Sequence, residues 1–273
     1  MYIFQRIALS AFSACLLVGA AGCGSNNSST SASTGSSPDV SGEWLFSAGA
    51  SAPATPSVAA GLVETAGSVT GTGTVYGCSA TPQQTNLQGT VGSKGKLTLN
   101  TAALSGGAVL TLSGQLSADG KTVSDMVLAS AGQGCSAAVS GQTVSGQVYA
   151  PAQGDYTGTF TGQDGVAVPV TGTLSQNTVP GPGGSYTLSG SVSFPASPCL
   201  NTATIDSALS TVTGGALSAT YETTVSGQTV TVTATGTADA EAKNVKISSW
   251  VISGGECDGY GGTGTLAETP AAQ

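Results

Sequence analysis

Histidine is absent from this 273-residue chain, and only 7 % of its residues are charged. Without imidazole there is no Ser-His-Asp triad, no Cys-His pair and no histidine-ligated metal. Six Lys and Arg stand against fourteen Asp and Glu, for a net charge of −8. That balance leaves no basic patch and excludes nucleic acid as a partner. Aromatic residues are also scarce, at 5 %. No phosphate loop or dinucleotide fingerprint occurs, because the glycines alternate with Ser, Thr and Val rather than joining a strand to a helix. Soluble chains ordinarily carry about a quarter charged residues, so solubility here must come from hydroxyls and amides.

What is present is patterned. Hydrophobic residues make up 39 % of the chain and recur at period 2, which argues against disorder. The N-terminal region differs from the rest. Arg6 is followed by an apolar run from Ile7 to about Gly22, too short and too broken by Ser and Gly for a membrane span. Residues 1–22 therefore read as an export signal. Residues 24–40 are nearly all Ser, Asn, Thr and Gly without apolar periodicity, the composition of a flexible tether.

The signal ends Leu17-Val18-Gly19-Ala20-Ala21-Gly22-Cys23. Small residues directly before a cysteine resemble a bacterial lipobox. The resemblance implies diacylglycerol transfer to the Cys23 thiol, cleavage before it, fatty acylation of the new N-terminus, and no further role for Cys15. Several acyl chains on one residue give stable membrane anchoring where a single chain is marginal. Gly24 at the next position resembles lipoproteins sent to the outer membrane of a Gram-negative envelope.

Beyond the tether, one unit is written twice, over residues 41–150 and 154–268. Each copy opens Gly-acid-aromatic: Gly42-Glu43-Trp44, then Gly154-Asp155-Tyr156. Each has an alternating strand before its first cysteine, Val69–Val75 before Cys78 and Leu188–Phe194 before Cys199. A middle strand, a short polar turn, a strand into the second cysteine (Cys135 or Cys257) and a closing strand follow in the same order. Val and Thr suit a pleated surface, with apolar residues facing one way and Thr, Ser and Gln the other. Inward glycines suggest close backbone approach or bulges. Turn signals such as Asp119-Gly120, Ser226-Gly227 and Gly254-Gly255 recur every 8–12 residues. The prediction is all-β: two tandem antiparallel meanders, each a small up-and-down barrel, with an immunoglobulin-like sandwich as the alternative. The joint at Ala150–Gln153 is short, so the modules should touch.

With Cys23 acylated, four cysteines remain, and four allow three pairings. If the copies fold alike, the pairs are Cys78–Cys135 and Cys199–Cys257, 57 and 58 residues apart. In a meander, the strands leading to each pair run the same way and deliver both thiols to one rim. Neither CxxC spacing nor histidine supports a redox or metal site, so these read as structural disulfides of an exported protein.

The candidate catalytic acids are Glu43, Asp155, Asp206, Glu222, Glu256 and Asp258. Most lie at turns or strand starts, where carboxylates face water, and Glu43 and Asp155 occupy equivalent positions that suggest a shared structural role. Glu256 and Asp258 flank Cys257, where the first copy has Gly134 and Ser136. No catalytic residue, cofactor or metal is expected from this set, and no calcium loop is present.

The Gly42-x-Trp44 start resembles the opening of lipocalin-like calycin barrels, which implies an aromatic plug at one barrel end; Tyr156 replaces it in the second copy. The wider pattern resembles repeat-bearing hypothetical lipoproteins of soil bacteria, notably acidobacteria, and implies no established activity. The expected role is a non-catalytic, lipid-anchored envelope protein offering two modules for structural or adhesin-like contact with protein or glycan. The alternative is a barrel that binds a small apolar ligand. The two readings differ in the interior: a carrier needs about 300 Å³ or more of open cavity, whereas Leu110, Leu112, Val230 and Val232 meeting in the middle would close it.

Overall fold

The computed structural model of the chain describes residues 37–48, 55–133, 135, 141–195 and 197–270. The signal at 1–22, Cys23, most of the tether, and Gly134 and Ser136 lie outside the described residues. Among the described residues no helix is long and apolar enough to cross a membrane.

The fold is two tandem closed antiparallel barrels. The first holds β1 (Gly42–Ser47), β2 (Ser57–Thr65), β3 (Ser68–Tyr76), β4 (Gln83–Val91), β5 (Lys96–Thr101), β6 (Val109–Leu116), β7 (Thr122–Ala131) and β8 (Gln142–Tyr149). Each strand pairs with the next, and β1 also pairs with β8, with Trp44 opposite Val148, so no edge is left open. The second holds β9 (Gln153–Gly162), β10 (Ala167–Gln176), β11 (Tyr186–Ser193), β12 (Ala203–Ile205), β13 (Thr211–Thr213), β14 (Ala216–Val225), β15 (Gln228–Ala238), β16 (Asn244–Ser253) and β17 (Gly261–Glu268). It closes through β9–β17 and β10–β11. Sequential pairing around a closed ring excludes the sandwich alternative.

Alternation generates these strands. In β5, Leu97, Leu99 and Thr101 are buried while Lys96 and Asn100 are exposed. In β15 the same rhythm buries Val230, Val232 and Ala234. Two-residue hairpin loops at Ala66-Gly67 and Ser226-Gly227 have positive φ at both positions, the mirror-image turn that matches strand twist. Glycine on an inner face makes room for larger neighbours: a Cβ on Gly73 would lie 2.7 Å from both Leu87 Cδ1 and the Ala59 carbonyl oxygen.

The duplication extends to irregularities. The β6–β7 register shifts between Ser113 and Gln115, and the β7–β8 register between Val123 and Met126. In the second barrel the equivalent ladders shift between Thr235 and Gly236 and between Ile247 and Trp250. Each of these shifts sets one extra residue on one strand, and bulges of this kind bend a sheet into a tight barrel. One element departs from the repeat. The position of β4 is filled in the second barrel by β12 and β13, separated by a turn in which Asp206 Oδ1 accepts from the Ala208 amide at 2.9 Å. Buried Ser210 repairs the gap, its Oγ accepting from the Thr220 amide at 2.9 Å.

Each barrel has its own core. Trp44 stacks near Phe46 in the first and donates from Nε1 to the Val40 carbonyl at 2.9 Å. Tyr156 takes the matching place in the second, and its hydroxyl donates to the Ala242 carbonyl at 2.6 Å. Tyr221 Oη is buried in the second core without a hydrogen-bond partner, and burial pushes that phenol well above its ordinary pKa.

Candidate functional site

The barrel interiors are filled. Leu97, Leu99, Leu110, Leu112 and Met126 in the first barrel and Val232 in the second have no surface that water could touch, and Val230 has almost none. A ligand cavity would leave such surface on its lining, so any ligand belongs on the outside of the barrels or at their rims.

Both disulfides form within a module, Cys78–Cys135 and Cys199–Cys257. In each barrel the bond ties the segment after the third strand to the loop before the last, at one rim. Disulfides persist in oxidising compartments, so the barrels belong outside the cytoplasm.

The structure separates Glu43 and Asp155 from the other candidate acids, which fall at the end of β12 and on its neighbour β14 (Asp206, Glu222) and on the β16–β17 loop (Glu256, Asp258). Asp155 is exposed and accepts from Thr173 Oγ1 at 2.8 Å. Asp206 shapes the turn between β12 and β13. Glu222 faces outward, 3.5 Å from Thr231 Oγ1. Asp258 accepts from the Gly254 amide at 2.8 Å inside the β16–β17 loop, and Glu256 lies beside it at an open hollow next to the second disulfide. That rim also holds a pair not anticipated from sequence. Tyr260 Oη donates to Asp164 Oδ1 at 2.8 Å, and the Val166 amide together with this phenol holds the Asp164 carboxyl below its ordinary value. Among the described residues no group of three or more Cys, Asp or Glu side chains could hold a metal.

Glu43 corrects the expected equivalence with Asp155. It is 2 % exposed and sits where the two modules meet. Its Oε2 accepts from Gln176 Nε2 at 2.8 Å, and its Oε1 accepts from the Gly215 amide at 2.8 Å. Gln176 is itself held, because its Oε1 accepts from the Ala152 amide of the joint at 2.9 Å. Burial raises the Glu43 pKa, and the Gly215, Gln176 and Gly214 hydrogen bonds oppose that shift without reversing it. Tyr149 and Tyr186 feel the carboxylate, which adds to the rise that burial gives their phenols. The arrangement is a polar clasp. It supplies no second carboxylate and no open face for a substrate.

A second contact reinforces the clasp. A turn of 3₁₀-helix at Pro182–Gly184, in the loop between β10 and β11, lies on the outer face of the first barrel. Thr72 Oγ1 donates to the Gly181 carbonyl at 2.8 Å, and Thr74 Oγ1 to the Gly183 carbonyl at 2.9 Å. Gly184 has φ +72°, and a Cβ there would lie 2.7 Å from both the Gly61 nitrogen and the Thr72 carbonyl oxygen. Only glycine permits that approach. Comparison of the chain with protein-family models, curated proteins and solved structures finds no match.

Proposed function

We propose that this is a non-catalytic, lipid-anchored cell-envelope protein that displays two disulfide-closed barrels for contact with an external partner. The filling of both barrels carries this reading: a closed barrel without interior room has only its outside to offer. The engagement of the acids supports it: Glu43 is enclosed between the modules, and Asp155, Asp206 and Asp258 each accept a hydrogen bond that shapes a strand or turn. The clasp at Glu43 supports it too, because the two barrels present a composite surface rather than two swivelling ones. Anchoring rests on the lipobox resemblance at Cys23, with the tether lifting the barrels off the bilayer.

The test is fractionation of cells expressing the wild type and Cys23→Ser. The wild type should partition with the membranes and into detergent. The variant should lose that partition while keeping both disulfides. A wild type found in the soluble fraction would overturn the anchoring.

A further inference from the structure

The outward face of β4 carries three amide side chains that folding does not use. Gln84, Asn86 and Gln88 are exposed and stand opposite Thr74, Thr72 and Thr70 of β3. None of the three side chains has a hydrogen-bond partner among the described residues. Several amides elsewhere are engaged, as where Asn100 accepts from Thr111, Gln115 donates to Lys94, Gln163 to Gly259 and Asn177 to Val179. Gln142, Gln153 and Gln228 are free as well, but among the described residues only β4 sets three free amides in one row.

These free amides line a groove. A hollow of 540 Å³ runs between Gln84, Asn86 and Ala102 on one side and Pro180 and Pro182 of the second module on the other. The bonds from Thr72 and Thr74 to the Pro182 turn fix that second wall, so the groove is preformed. A second, separate hollow of 330 Å³ lies further along the same face of the strand, at Gln88, Thr90, Thr98 and Asn100. From Gln84 to Thr90 the strand covers about 20 Å at 3.3 Å per residue.

No charged residue lines either hollow. An ionic ligand would find no counter-charge. The rows of hydroxyls and amides do not suit an apolar one. A peptide added as an extra strand needs a free sheet edge, and the closed first barrel has none. A chain of sugar hydroxyls does fit. Each hydroxyl both donates and accepts, as a primary amide does, and Ala102, Pro180 and Pro182 offer C–H surface to a sugar ring. We infer that the groove along β4, completed by the Pro180–Gly183 wall, binds a neutral, unbranched glycan. The inference rests on the display reading and gives it a ligand class.

The test uses the detergent-solubilised full chain titrated with maltopentaose, cellopentaose, chitopentaose and mannopentaose, read by saturation-transfer NMR. At least one should bind saturably. The double variant Gln84→Ala/Asn86→Ala should weaken it about tenfold or more, since at least two hydrogen bonds are lost. Thr159→Ala/Thr265→Ala, on the outer face of the second barrel, should leave binding unchanged. Absence of saturable binding by every probe would overturn the inference, as would binding indifferent to the Gln84/Asn86 change. So would a protein partner lost in that variant while no oligosaccharide binds. Cleavage of a bound oligosaccharide would instead sink the non-catalytic reading and leave the groove standing.

Discussion

At the scale of single residues, Glu43 shows most clearly how context outweighs sequence position. Gly42 and Gly154 both have strongly positive φ at the entries to β1 and β9, and the acid follows in each. Yet Asp155 faces water while Glu43 is enclosed. The difference comes from residues more than a hundred positions away, Gln176 and the Gly215 amide, so no local pattern could reveal it. Removing the carboxylate strands those two donors, and Glu43→Ala should cost about 1–3 kcal/mol for each buried donor left unpaired. The pH dependence has a definite sign. Burial raises the folded-state pKa above the unfolded one, so Glu43 contributes its stability in full below its ordinary pKa and loses it as pH rises through the raised value. Denaturant unfolding of the wild type from about pH 4 to about pH 8 should show that decline, and Glu43→Ala should lack this component. An identical pH profile in both proteins would mean that the carboxyl does not titrate at the interface. The inward placement of Trp44 and Tyr156 follows from the sequence, because an aromatic on an alternating first strand points inward. What differs is the polar tip: the indole binds Val40 and the phenol binds Ala242.

At the scale of elements, strand identity was legible and strand irregularity was not. Period-2 burial in β5 and β15 follows directly from Leu-Thr-Leu and Val-Thr-Val. The bulges near Val123 and Ile247 leave no such mark, since Ser124-Asp125 and Ser248-Ser249 look like ordinary outward residues. The stretch from Ala203 to Thr213 forms two three-residue strands around the Asp206 turn, where the first barrel has the single strand β4. The cysteine pairing could be read because duplication selects one of the three connectivities. Each barrel contains one tryptophan, Trp44 or Trp250, so the contribution of a disulfide can be followed barrel by barrel. In the chain-entropy account, Cys78→Ser/Cys135→Ser should lower the stability of the first barrel by about 4 kcal/mol. With Trp250→Phe in the background, Trp44 fluorescence should show the denaturation midpoint falling. An unmoved midpoint would mean that the bond adds nothing to a barrel already closed by β1–β8 pairing.

At the scale of the whole molecule, the sparse charge and missing histidine agree with what the fold presents. Two filled barrels, locked by Glu43 and by the Pro182 turn, expose rows of Thr, Gln and Asn on a composite outer face. The touching of the modules was foreseeable from the short joint. Its chemistry was not, because Thr72, Thr74 and the Pro180–Gly183 segment look like any polar strand and loop until they meet. The central claim is a lipid-anchored pair of barrels that works through its surface and holds nothing inside. Native mass spectrometry of the mature protein, extracted from membranes in detergent, tests it most directly. The mass should correspond to a chain beginning at Cys23, with acyl groups on that residue, both disulfides intact and no apolar small molecule retained. An apolar ligand that stays bound, free thiols at Cys78, Cys135, Cys199 and Cys257, or an N-terminus without acyl mass would contradict it.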